Sequence, residues 1–383
     1  FGLNNGLQAL ISRRAGENRP DEIGKIFNQG ILLAMGIAAV GIFLTFFAAP
    51  FIFRSSLHSQ AISEKAIVFL RIRILGLPFL YVYQMRNALL VGINRSKLLV
   101  AGTLAEAASN IFFDYSLIFG HFGMPRMGFN GAAVASVISE FAGMFVIFAV
   151  ITAKGISSRY SLFRHFHFEK ENATRILKLS GPLIFQHAIS IMSWFFFYLL
   201  VEHHGSASLA VSNTMRNIFG FFGVFIWAFA STTNSMVSNV IGQGRKDEVI
   251  HLIVKIMKMS CTLAVFACLL INIFPRLFLS VYGQGEDFMQ LGVRVIRIVG
   301  VAMVFMSVSI IWPNAVTGTG NSKITFLIEL AAIILNCLYV YYVLEVYHFS
   351  ITWGWMSEWL YWTSMFAGGF LYIKSKRWMN TVI

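Results

Sequence analysis

The stretch AGENRPDEI at residues 15–23 returns as IGQGRKDEV at residues 241–249, with Gly, Arg, Asp and Glu matched in place. Gly16 and Gly242 are 226 positions apart, and the same step carries GINRSK (92–97) onto GTGNSK (318–323). Between them RIRILG (71–76) pairs with RVIRIVG (294–300), and Asn110 falls on Asn336. Three ordered matches at nearly one offset mark an internal duplication. Six apolar stretches separate the matched loops. Six is even, so both copies enter the membrane in the same sense. The expected fold is an all-α polytopic membrane protein, two six-helix bundles related as a parallel repeat about an axis along the membrane normal.

The membrane itself follows from composition. Of 383 residues, 57% are hydrophobic and only 12% charged, where soluble chains carry about a quarter. Mean hydropathy is +0.70, and 38 Phe with 8 Trp leave too little polar surface to wrap a core in water. Disorder, a coiled coil and a disulfide scaffold are excluded by the same numbers. Cys261, Cys268 and Cys337 sit inside apolar runs and read as packing residues. The net charge of +13 belongs to loops beside membrane spans; no nucleic-acid-binding motif accompanies it.

Complete spans are expected at about 27–50, 66–91, 98–119, 128–153, 176–201, 208–240, 249–279, 289–316, 324–347 and 351–373, each near the roughly 20 residues that hydrocarbon requires. Residues 1–12 read as the remnant of another. The chain opens at Phe1 without a charged n-region, so no signal peptide is expected. Projecting the second copy's start back by the repeat step places the first copy's start about fifty residues upstream of Phe1, one helix and part of the next. Residues 1–153 are expected to form an N-lobe, 154–175 a basic linker and 176–383 a C-lobe. One set of alternate loops, with the C-terminal tail, holds eighteen Lys and Arg, from Arg13 and Arg14 to Lys374, Lys376 and Arg377. The opposite set holds four: Arg54, Lys65, Arg126 and Arg276. The basic side is cytoplasmic, and so is the C-terminus.

Enzyme motifs are missing from this pattern. GTGNSK lacks the Walker spacing, and its mate GINRSK lacks the second glycine, so both read as tight turns. No HxxxH, HExxH or GxSxG occurs; His165 and His167 lie in the linker, and His203 and His204 at an outer helix end. No enzymatic activity, metal or cofactor is expected, and any pumping must draw on an ion gradient.

Charges inside spans are the sharper signal, since each is expensive in hydrocarbon unless partnered or facing a cavity. Glu106, Asp114, Glu140, Glu329 and Glu358 qualify. Asn110 and Asp114, four apart, project from one helix face, where a carboxylate and an amide can take up and release a proton or small cation. The competing reading is a polar clamp between helices. Arg71, Arg73, Arg294 and Arg297 are expected to snorkel outward and Arg86 inward. Arg216 lies some way into its span and should face a cavity or an acid.

The segment NIFFDYSLIFGHFGMPRMGFNGAAVASVISE (110–140) resembles the fifth-to-sixth helix region of MATE-type multidrug and toxic compound extrusion transporters. The two G-x-[NG]-R-x-D-E loops resemble that family's loops after helices two and eight. The resemblance implies a V-shaped two-lobed bundle in the plasma (inner) membrane. It implies a monomer that exports small amphiphilic organic compounds, often cationic, in exchange for protons or sodium ions. It assigns coupling to Asp114 and Asn110, with Glu140 nearby. Candidates for the substrate cleft are Arg216, Glu202, Trp194 and Glu329; Trp194 stands where a second-copy acid would be expected. The nearest rival is a lipid-linked oligosaccharide flippase of related fold, which uses a cationic cleft.

Overall fold

The computed structural model describes residues 2–56, 59–164, 166–283 and 285–381. Helices occupy all ten expected stretches. In chain order they are α1 (Gly2–Gly16), α2 (Pro20–Ser56), α3 (Gln60–Arg73), α4 (Leu77–Gly92), α5 (Leu99–Phe119), α6 (Phe129–Ala153), α7 (Ile156–Arg159) and α8 (Lys170–Glu202). Then follow α9 (Ser206–Gly242), α10 (Val249–Ile273), α11 (Pro275–Ser280), α12 (Glu286–Ser309), α13 (Ile311–Gly318), α14 (Ser322–Val340), α15 (Ile351–Trp355) and α16 (Ser357–Lys374). Eight helical stretches among the described residues are long and apolar enough to cross a bilayer unaided. The stretch α5 is not one of them, because Glu106, Asn110 and Asp114 interrupt it.

Local chemistry sets the breaks. The expected span 249–279 divides at Pro275, whose missing N–H and fixed φ suit the first turn of a new helix. Helix α5 stops at Gly120, left-handed at φ +80°, whose N–H returns to the Ser116 carbonyl.

The chain forms two compact units, Asn18–Leu177 and Phe1–Glu17 together with Lys178–Ile383. This differs from the expected lobes in taking in the linker, described below, and in the place of α1, which belongs by sequence to the first copy and by contact to the second. The reason is a reciprocal seam with α9. Gln8 Nε2 donates to the Ser231 carbonyl at 2.8 Å, and its repeat mate Asn234 donates to the Asn5 carbonyl at 3.0 Å. Arg13 Nε donates to the Ser238 carbonyl at 3.1 Å, while Asn239 Nδ2 donates to the Ser12 carbonyl, also at 3.1 Å. Each donor and each acceptor has its counterpart one repeat step away.

The basic segment 154–175 folds within the unit Asn18–Leu177. The Phe163 N–H donates to Asn28 Oδ1 at 3.1 Å, Gln29 donates to the His167 carbonyl, and Phe27 meets Phe163 edge-on at 5.9 Å. His165 lies outside the described residues. In the other unit, α9, α12, α14 and α16 enclose an apolar core that includes Met215, Val299, Met303 and Trp355.

Candidate functional site

Three helices of the unit Asn18–Leu177 build a polar cavity of about 370 Å³. Arg73 comes from α3; Thr103, Glu106, Ala107 and Asn110 from α5; Ser136, Ser139 and Glu140 from α6. At 1.5 Å per residue, Arg73 lies about 20 Å along α3 and Glu140 about 16 Å along α6, deep within the hydrocarbon layer. Glycines bring the helices together. A Cβ on Gly143 would stand 2.9 Å from Glu106 Cβ, and one on Gly76 would stand 2.2 Å from Glu140 Oε2.

Arg73 does not snorkel. Its Nη1 donates to Glu140 Oε2 at 3.0 Å and its Nη2 to Oε1 at 2.5 Å, a two-pronged pair with the carboxylate side chain only 7% exposed. The fork geometry matches both carboxylate oxygens, which is what makes the pair tolerable in a low dielectric. Arg71 behaves nearer to expectation, exposed and 4.8 Å above the Phe46 ring. Arg86 also departs from expectation, being fully buried where an inward-snorkelling side chain was anticipated.

Asn110 donates to Ser139 Oγ at 3.5 Å and so ties α5 to α6 at the cavity wall. Asp114, one turn outward, does not line the cavity; its Oδ1 is buried without a hydrogen-bond partner. Glu140 and Asn110 are thus brought together, with Asp114 just above them.

The cleft candidates lie in the other unit, where the Tyr198 ring meets both Trp194, at 6.2 Å, and Arg216, at 6.0 Å. Glu329 is 7% exposed and accepts from Gln186. Trp194 packs at 6.0 Å from both Phe197 and Trp355, in an aromatic cluster of the core. Arg216 is exposed, 6.0 Å from the Tyr198 ring, and has no ion pair among the described residues. Glu202 is exposed at the end of α8; its neighbour His203 takes the ion pair there, with Glu345 at 3.0 Å.

Sequence reasoning placed Glu106 in the membrane without making it part of the site, and overlooked Ser136 and Ser139. A signal existed: Glu106, Asn110 and Asp114 recur every four residues, one polar stripe along α5.

This helical architecture, with a polar cavity in its first unit, has relatives. The MatE family model matches residues 1–116 and 182–342. The chain belongs to the MatE family. The uncharacterized transporter YisQ of Bacillus subtilis (strain 168) is 23% identical over 323 residues, covering 83% of this chain and 70% of that one. A probable multidrug resistance protein NorM of Thermotoga maritima is 26% identical over 241 residues, 62% of this chain. The match spans 51% of that relative's length. A solved structure described as the outward-facing conformation of a multidrug resistance MATE family transporter of the MOP superfamily superposes with a TM-score of 0.89. It is 17% identical, and the match covers 98% of this chain and 83% of that one. MATE proteins are multi-pass membrane transporters and not enzymes.

Proposed function

We propose that the chain acts as a secondary multidrug exporter, moving small amphiphilic organic compounds out across the plasma membrane in exchange for protons or sodium ions. The observation that carries this reading is the stripe Glu106–Asn110–Asp114 beside the Arg73–Glu140 pair. Arg73 neutralises Glu140, which leaves the α5 carboxylates open to a mobile cation. The vacant, buried Oδ1 of Asp114 supports its role as an acceptor, with Asn110 one turn away. Glu140 then acts by fixing Arg73 and the wall on which Asn110 docks. Family membership supports the transport class.

Substrate contacts are assigned to the unit containing α8 and α14, with Arg216 and Glu202 exposed and Trp194 and Glu329 shaping the wall. No organic cofactor is invoked, and the basic loops place the C-terminus in the cytoplasm. A flippase for lipid-linked oligosaccharide would need a cationic cleft for a pyrophosphate, and Arg216 is the one cation among the cleft candidates.

Reconstitution into liposomes tests the reading. Ethidium loaded inside should leave faster under an imposed proton or sodium gradient than without one. Identical rates under all three conditions would reject cation-coupled export.

A further inference from the structure

Arg86 on α4 is 0% exposed. Its guanidinium carbon stacks 3.3 Å from the Tyr83 ring centroid, and its Nε donates to the Tyr83 carbonyl at 3.1 Å. Both Nη atoms are buried without an acceptor among the described residues. A desolvated guanidinium with idle donors is strongly unfavourable, and it cannot relieve the strain by losing its proton. Its surroundings name a partner. A Cβ on Gly102 would sit 2.6 Å from Arg86 Nη1, so only a glycine lets the guanidinium rest on α5 there. Glu106 is one turn further along that same face of α5.

The Glu106 carboxylate, for its part, lines the cavity and has no hydrogen bond or ion pair among the described residues. The charged and titratable groups around it are Arg73 from α3, Tyr83 and Arg86 from α4, Glu140 from α6 and Asp114 from its own helix. Arg73 and Glu140 cancel each other. Tyr83 is held by its hydroxyl to Thr103 Oγ1 at 3.1 Å, on the cavity wall. Glu106 is therefore a carboxylate facing an open cavity with an unspent guanidinium behind it.

We propose that Glu106 is an inner station for the coupling cation, shared with Asn110 and Thr103, and that Arg86 is its tethered competitor. The proposal rests on the exporter reading and adds a release step to it. When a proton or sodium ion occupies Glu106, Arg86 stays withdrawn against Tyr83, where its Nε donates to the Tyr83 carbonyl. When the cation leaves toward the cytoplasm, the guanidinium closes on the carboxylate. The site gives up one positive charge with the departing cation, and Arg86 then neutralises the carboxylate, so the membrane interior never holds a bare Glu106 anion. A proton bound there converts carboxylate to carboxylic acid and is returned as such; no bond other than O–H forms or breaks. Asp114 and Glu106, eight residues apart, would be outer and inner stations separated by about 12 Å along α5.

Cation binding is measured on the full purified chain in detergent, with no transport required. The proton arm follows the infrared band of protonated carboxyl groups as pH is raised. The sodium arm follows retention of radioactive sodium ion. Glu106→Gln should lower the band or the retention, whichever the parent shows, by the share of one site, since Asp114 keeps its own. Arg86→Met should hold the cation about tenfold more tightly, the factor that one pK unit represents, because the competitor is gone. If Arg86→Met does not fold, Arg86→Gln keeps hydrogen-bond donors without the charge and should show the same tightening. Binding unaltered by Glu106→Gln, or unchanged or weakened by both Arg86 variants, would overturn the proposal. Expected binding results with gradient-independent ethidium flux would reject the exporter reading alone. Gradient-driven flux with binding indifferent to Glu106 would reject the station alone.

Discussion

A Cβ built on Gly242 would come within 3.2 Å of Gly16 Cα, so the two glycines that the repeat aligns are also two that touch. At Gly16 the obstacle is harder still, with the Asn239 carbonyl oxygen 2.1 Å from where a Cβ would stand. Backbone cannot swing aside as a side chain does. Gly16→Ala and Gly242→Ala should each lose about 1–3 kcal/mol of stability, the range for overpacking. Melting in detergent would show this as a lowered Tm, whereas Gly36→Ala, with nothing within 4 Å, should melt as the parent does.

Asp114→Asn keeps the shape of the side chain and fixes a neutral form. Since Asp114 Oδ1 has no partner to lose, expression and melting should stay close to the parent. Gradient-driven ethidium efflux should nevertheless stop. Efflux at the parental rate under the same gradient would reduce Asp114 to a packing residue.

Glu140→Gln should be among the most damaging polar substitutions in the chain. It strands Arg73 in the membrane, and breaking a buried pair from one side costs about 3–5 kcal/mol. The double variant Arg73→Met with Glu140→Met should recover most of that loss. Thermal melts of the two single variants and the double would give the coupling between them; additive losses would mean that the pair is not formed.

Topology is checked by labelling. Lys323→Cys, in the exposed first turn of α14, should react with a membrane-impermeant maleimide only in inside-out vesicles. Gly283→Cys, in the turn before α12, should react from outside intact cells. Labelling of Lys323→Cys from outside would invert the assignment.

Much of this architecture was legible because it rests on local pattern. Apolar length placed the long helices, and the repeat placed Gly16 on Gly242 before either was seen to touch the other. Contacts over long sequence separation were not legible. Arg73 reads as an outer-end arginine until α6 brings Glu140 to it from 67 residues away. Arg86 looked like a snorkelling residue because nothing local says that α5 offers a glycine, Gly102, for it to lie against. The side on which α1 would pack was equally hidden: its sequence marks it as the first copy, but its donors find carbonyls only on α9. Nor does residue type show that Trp194 packs, half-buried, against the aromatic cluster of Phe197 and Trp355, since the burial of a large ring is decided by its neighbours.

The α1–α9 seam has the form of a contact between two identical subunits. Donor i meets carbonyl j, and the counterpart of j meets the counterpart of i, which is the signature of a self-complementary twofold interface. A single chain has no need of such symmetry, yet its hydrogen bonds keep it after the side chains have diverged to Gln against Asn and Arg against Asn. The seam is a fossil dimer, in which covalent fusion has taken over from mass action the work of holding the partners together.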